Sequence, residues 1–289
     1  MRIHQVSLMP KIGPRLELAI CAAVLLAWNK EAFGGSGPAP AAEPWVSAAS
    51  AVVMDVQTGD ILYQKNAKRI QPIASITKLM SALVFLDSNP DLNRQVLIST
   101  ETRKLPGRKR FRPGERIRLY DLLCAALIPS DNVAAKMLAL SSGSEQAFVR
   151  RMNISARSMG LSKTRFADPT GLNPRNVSTA LDCARLIGIA AQNQTIWEIM
   201  RMRECRFFTD RGYHRLVSTN RLLQTGEDGL GGKTGFLRIA GFCMATYVRG
   251  QNHRELAASV LGARSSQRRF ADMRRILKAA TEIAGYETQ

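Results

Sequence analysis

Strand-like sequence stands at both ends of this 289-residue chain, and helix-like sequence fills the middle. Residues 47–65 read as a hairpin: SAVVMDV is rich in β-branched residues, Gln57-Thr58-Gly59-Asp60 is a turn cluster, and ILYQK is the return strand. Strand pattern returns over 233–238, 241–248 and 255–261, joined by glycine-containing turns. Between them, helical pattern covers 74–86, 119–128, 132–140, 145–159 and 178–191, and a last helix covers 266–284. A strand at each end must find a partner, and the nearest candidates lie at the opposite end. The expected fold is therefore α+β: a mixed β-sheet formed by N- and C-terminal strands, flanked by helices, with a helical lobe inserted.

The first 42 residues differ from the rest. Arg2, Lys11 and Arg15 precede the apolar run LELAICAAVLLAW (residues 16–28), and GGSGPAPAA (residues 34–42) follows. A basic start, a short apolar stretch and small residues make the pattern of a secretory signal. The run is shorter than the ~20 residues of an ordinary spanning helix, although retention as a membrane anchor stays open. The expected organisation is a leader or anchor over 1–42, then one domain over 44–289, located in the periplasm or cell envelope.

Lys and Arg number 41 against 23 Asp and Glu, a formal charge of +18. That excess suits an anionic setting, and export makes nucleic acid an unsuitable partner. Much of it lies in a basic segment, 101–118, which holds eight Lys and Arg residues from Arg103 to Arg118. Only His4, His214 and His253 are present, too few and too scattered for a zinc hydrolase or a histidine triad, and no cofactor is expected. Cys21 lies in the leader, and Cys124, Cys183, Cys205 and Cys243 show no paired spacing that would fix a disulfide.

Three short stretches carry chemistry. In Ser75-Ile76-Thr77-Lys78 a helix puts Ser75 and Lys78 on one face, so the amine can reach the hydroxyl. Serine attacks only when a base takes its proton, and lysine is a base only when burial or a nearby cation lowers its pKa. Ser130-Asp131-Asn132 follows Pro129 between two apolar helices, where a hydroxyl and an amide can project into a cleft. Lys233-Thr234-Gly235 opens a strand behind Gly231-Gly232; glycine there lets a peptide backbone approach, and Lys233 is a second cation that helps keep Lys78 neutral. Each tripeptide or tetrapeptide alone has a plainer account as a helix face, a helix cap or a turn. In this order and context the three together form the set shared by class A β-lactamases and penicillin-binding proteins.

The chain resembles the low-molecular-mass penicillin-binding proteins, the D-alanyl-D-alanine carboxypeptidase and endopeptidase family, from about residue 48 to 279. The likeness extends to AVVMDVQTGDILYQKNA, QPIASITKLMSALVFLD, ADPTGLNPRNVSTALDCARLI, TNRLL and GGKTGFLRIAGF. The acidic middle residue of Ser130-Asp131-Asn132, together with PIASITKLM, is closer to the endopeptidase branch. The resemblance implies a β-lactamase/transpeptidase-like fold and an acyl-enzyme on Ser75. Lys78 then serves as base, Ser130 passes a proton to the leaving amine, and Asn132 orients the donor peptide. The N–H groups of Ser75 and Phe236 form the oxyanion hole, Lys233, Thr234 and Gly235 line the substrate site, and Arg269 assists carboxylate binding, with Arg264 and Arg268 competing for that role. Partners so implied are peptidoglycan stem peptides and β-lactam inhibitors.

Trimming of a terminal D-alanine is the alternative to cross-link cleavage. A β-lactamase also needs a carboxylate to activate the deacylating water; Asp168-Pro169-Thr170-Gly171-Leu172-Asn173 stands near the right place with the wrong spacing and the wrong acid, and the resemblance implies that it is a structural loop. A non-catalytic, wall-binding penicillin sensor is the remaining rival.

Overall fold

Strand β1 (Ser50–Asp55) carries the apolar run Ala51–Met54 and is buried along its whole length, the mark of a strand covered on both faces. It returns through the Thr58–Gly59 turn as β2 (Ile61–Lys65), followed by the short β3 (Gln71–Pro72) and helix α1 (Thr77–Asp87). The chain then forms β4 (Gln95–Leu97), β5 (Arg116–Arg118), α2 (Leu119–Leu127), α3 (Asn132–Ser141), α4 (Glu145–Ser158), β6 (Val177–Ser178), α5 (Ala180–Gln192) and α6 (Gln194–Arg201). A ribbon, β7 (Glu204–Thr209) and β8 (Gly212–Val217), leads to β9 (Leu230–Leu237), β10 (Gly241–Arg249), β11 (Glu255–Ala263) and α7 (Ser266–Ile283). The computed structural model describes residues 45–283 except 109, 225–228 and 251–253; the expected leader and Lys109 lie outside the described residues.

The main sheet runs β2-β1-β11-β10-β9, so the N-terminal hairpin does pair with the C-terminal strands. The mixed sheet expected from sequence narrows to a wholly antiparallel one. Short links join β1 to β2, β9 to β10 and β10 to β11, and short links allow only antiparallel neighbours. Ala51 and Val53 of β1, with Met244, Ala258 and Val260, meet Phe270, Met273 and Ile276 of α7 on one face. The opposite face meets the helical lobe: Ser259 Oγ donates to Ala180 O (2.7 Å), and Tyr247 packs edge-on against Trp197. Asp272 of α7 accepts from Ser47 N and Ala48 N (both 3.0 Å), tying the start of the described chain to its end.

Element boundaries differ from expectation where local geometry intervenes. The helix expected over 74–86 starts as a 3-10 turn, Ala74–Ile76, because Ala74 takes a left-handed conformation (φ +49°). The helix expected from residue 178 begins at Ala180, because the Thr179 hydroxyl caps it by accepting from Asp182 N (3.0 Å). The basic segment holds a 3-10 turn, Thr100–Lys104, and strand β5 rather than a plain loop. The four described cysteines are free thiols, and Cys124 hydrogen-bonds Cys205. Among the described residues, no helix is long and apolar enough to cross a membrane.

Candidate active site

Helix α1, the α2–α3 turn, strand β9 and the loop 166–176 meet at Ser75. The left-handed Ala74 turns the chain sharply just before the helix, leaving Ser75 half-exposed at its start. Two glycines allow the surrounding backbone to close on this point. A Cβ on Gly171 (φ +83°) would lie 2.2 Å from Ala74 O, and one on Gly235 would lie 3.0 Å from Ser75 N. Loop and strand therefore pack directly against the backbone that carries the hydroxyl.

Lys78 follows one helical turn later and is fully buried. Its Nζ lies 3.0 Å from Ser75 Oγ, 2.8 Å from Asn132 Oδ1 and 2.6 Å from Thr170 O. Burial lowers its pKa from the ordinary 10.5 to about 7, against the opposing pull of Asp131 and Asp168. A neutral amine has two hydrogens and one lone pair. The two oxygens of Asn132 and Thr170 are acceptors only, so they take the hydrogens and the lone pair faces the Ser75 hydroxyl. Of the two causes the sequence offered, burial and a second cation, burial is the leading one. The repulsion between the two amines is felt at Lys233, whose own pKa falls well below its usual value, first through burial and then through Lys78 and Arg269.

The loop 166–176 exists to present that carbonyl. Asp168 Oδ1 accepts from the N–H groups of Thr170 and Gly171, and Oδ2 from Asn173 N (2.5 Å) and Asn176 Nδ2 (3.1 Å). A carboxylate so occupied organises a turn, the structural loop that the family resemblance implied. Ser81, on the same face of α1 as Lys78, donates to Pro169 O (2.6 Å) and pins the loop a second time.

Ser130 also takes a left-handed conformation (φ +64°), and its Oγ is buried without a hydrogen-bond partner among the described residues. Asp131 caps α3 by accepting from Ala134 N (3.0 Å), which fixes the turn, and burial raises its pKa. Asn132 spends Oδ1 on Lys78 and one Nδ2 hydrogen on Pro106 O (2.9 Å), leaving its second amide hydrogen for a ligand.

On the opposite wall Lys233 is buried, with Nζ 2.9 Å from Thr234 O, and Thr234 Oγ1 is 2.6 Å from Thr219 Oγ1. Thr219 N in turn donates to Ile128 O (3.2 Å), joining the two walls of the cleft. Phe236 is half-exposed and stacks on Phe242. Arg269 lies behind the strand: Nη1 donates to Gly235 O (3.1 Å) and Cys243 O (3.3 Å), and burial lowers its pKa to about 10. Arg264 and Arg268 are exposed. Thr170 and Thr219 escaped the sequence reading of roles: the first acts through a backbone carbonyl, and the second by holding Thr234. His214 stands apart, paired with Glu115 (2.6 Å).

Residues 38–265 match the D-alanyl-D-alanine carboxypeptidase family. The chain is 34% identical over 244 residues to a D-alanyl-D-alanine endopeptidase of Escherichia coli, covering 82% of this chain and 78% of the relative. It is 36% identical over 239 residues to a D-alanyl-D-alanine endopeptidase of Pseudomonas aeruginosa (80% and 76% covered). A D-alanyl-D-alanine carboxypeptidase of Bacillus subtilis is 32% identical over 276 residues (92% and 69%). Among solved structures, the Streptomyces K15 DD-transpeptidase superposes with a TM-score of 0.78 at 26% identity, covering 84% of this chain and all of that one.

Proposed function

The chain belongs to the D-alanyl-D-alanine carboxypeptidase family of serine-type peptidases, and on that footing we propose that it cleaves D-alanyl cross-links between peptidoglycan stem peptides. The observation that carries the chemistry is the buried amine of Lys78, 3.0 Å from Ser75 Oγ with both of its hydrogens engaged elsewhere. In the reaction, Lys78 Nζ takes the Ser75 proton as the oxygen attacks the carbonyl of the donor D-alanine. The N–H groups of Ser75 and Phe236 stabilise the oxyanion; losing one such donor typically costs a hundredfold or more. Ser130 Oγ passes the proton to the leaving amine, and the acyl-enzyme on Ser75 is then released to water.

Asn132 orients the donor peptide through its remaining amide hydrogen. Lys233 and Thr234 bind the carboxylate on the leaving side, and Gly235 lets the substrate backbone lie along β9. Arg269 acts at one remove, by holding the Gly235 carbonyl. The same arrangement accepts β-lactams as covalent inhibitors, and Asp168, committed to its loop, provides no base for rapid drug turnover. Residues 1–42 serve as leader or anchor for an enzyme of the periplasm or cell envelope, and residues 44–289 as its peptidase domain.

The endopeptidase reading rests on Asp131 in the middle of the second motif and on the two endopeptidases at 34% and 36% identity; the Bacillus subtilis relative keeps terminal trimming as the second reading. Digestion of purified cross-linked and monomeric muropeptides, with Ser75→Ala alongside, separates them. Loss of dimers supports the endopeptidase. Loss of one terminal D-alanine from monomers, with dimers intact, supports the carboxypeptidase.

A further inference from the structure

One part of the cleft is unused by the acyl-transfer scheme. A cavity of about 210 Å3 lies between residues 105–108 and 110 and the 129–133 turn, with Ser130 and Asn132 on one side and Arg108 and Arg110 on the other. Asp131 is the one acid among its described lining residues. That carboxylate is buried, caps α3 and pairs with Arg110 (3.4 Å), so the charges of Asp131 and Arg110 offset each other. Arg108 is exposed at the cavity and makes no ion pair among the described residues. The wall is also joined to the reaction centre: Pro106, two positions before Arg108, accepts from the amide of Asn132, whose oxygen holds Lys78.

From these observations, and resting on the peptidase reading above, we propose that Arg108 is a specificity-determining residue that binds a side-chain carboxylate of the donor stem peptide. The lysine of β9 occupies the far wall and takes the leaving side, which leaves this wall for the donor. A peptide's own anions are carboxylates, and a guanidinium meets a carboxylate with two parallel hydrogen bonds. The pocket is roomy enough for one side chain beside the scissile bond, and too confined for a folded polymer domain.

The test uses cross-linked peptide dimers that differ in one group. The donor residue preceding the D-alanine carries either a free side-chain carboxylate or the corresponding carboxamide. For the wild type, kcat/KM is expected to be about tenfold higher on the carboxylate dimer, the worth of one partly exposed charge-assisted contact, and the difference is expected in KM. Arg108→Gln should bring the two dimers to equal kcat/KM, and Arg108→Lys should restore part of the preference. Acylation of Ser75 by a penicillin that lacks the group reports an intact centre in each variant. Equal rates on the two dimers in the wild type, or a preference that survives in Arg108→Gln, would overturn the inference while leaving the peptidase reading in place. A wild type that neither cleaves dimers nor acylates would overturn the peptidase reading, and this inference with it.

Discussion

Titrating Lys78 tests the reaction centre most finely. An ordinary lysine at 10.5 is roughly 0.03% free base at pH 7, whereas a lysine held at about 7 is half free base there. The difference is more than a thousandfold in the reactive form, equivalent to about 4 kcal/mol. Because the pKa is lowered, the amine is protonated and inert below pH 7 and becomes competent as pH rises through that value. Acylation of Ser75 by a fluorescent penicillin, followed by stopped flow from pH 5 to 10, should therefore climb about tenfold per unit and bend at about pH 7. At pH 5 the rate should be about a hundredfold below the plateau. Asp131 raises the Lys78 pKa, so Asp131→Asn, which keeps a cap acceptor, should move the bend to lower pH. A rate that keeps climbing to pH 10, or one indifferent to pH, would refute burial as the source of the base.

Three further outcomes follow from the packing. Gly171→Ala places a methyl carbon where Ala74 O lies 2.2 Å away, at φ +83°; thermal unfolding should show a loss of about 2 kcal/mol or more, and Ser75 acylation should slow with it. Asp168→Asn turns an acceptor of several loop N–H groups into a partial donor, so the Thr170 carbonyl loses its position; stability should fall by about 3 kcal/mol and acylation at least tenfold, measured by denaturant unfolding and penicillin labelling. Cys205, whose thiol the hydrogen bond from Cys124 lowers to about 7, should be alkylated by iodoacetamide ahead of Cys124, Cys183 and Cys243, as read by peptide mapping across pH 6–9.

The parts legible from sequence were those where one residue type at one spacing has one geometric consequence. Ser75 and Lys78 share a helix face because helices repeat every 3.6 residues. The end strands pair because a hairpin at one end needs an edge at the other. Three things were less legible. Ala74 and Ser130 adopt left-handed backbones that neither residue favours, and both are imposed by tertiary packing. The Thr170 carbonyl is a backbone group, so no side-chain pattern announces it. The neutrality of Lys78 depends first on how completely α1 is covered, which spacing cannot measure. Helix α6 and the β7–β8 ribbon did carry signals: Ile196, Trp197, Ile199 and Met200 repeat at helical spacing, and Asp210-Arg211-Gly212 is a turn between alternating strands. Eight helical residues make a short pattern, easily submerged among neighbouring polar positions.

The proposed acyl-enzyme on Ser75 has a direct chemical consequence, a covalent adduct at a single hydroxyl. Incubation with a penicillin, followed by intact mass and mapping of the modified peptide, should place one adduct on Ser75, persisting for minutes, with none in Ser75→Ala. An adduct on another residue, or rapid release of hydrolysed drug from an unmodified protein, would contradict the account.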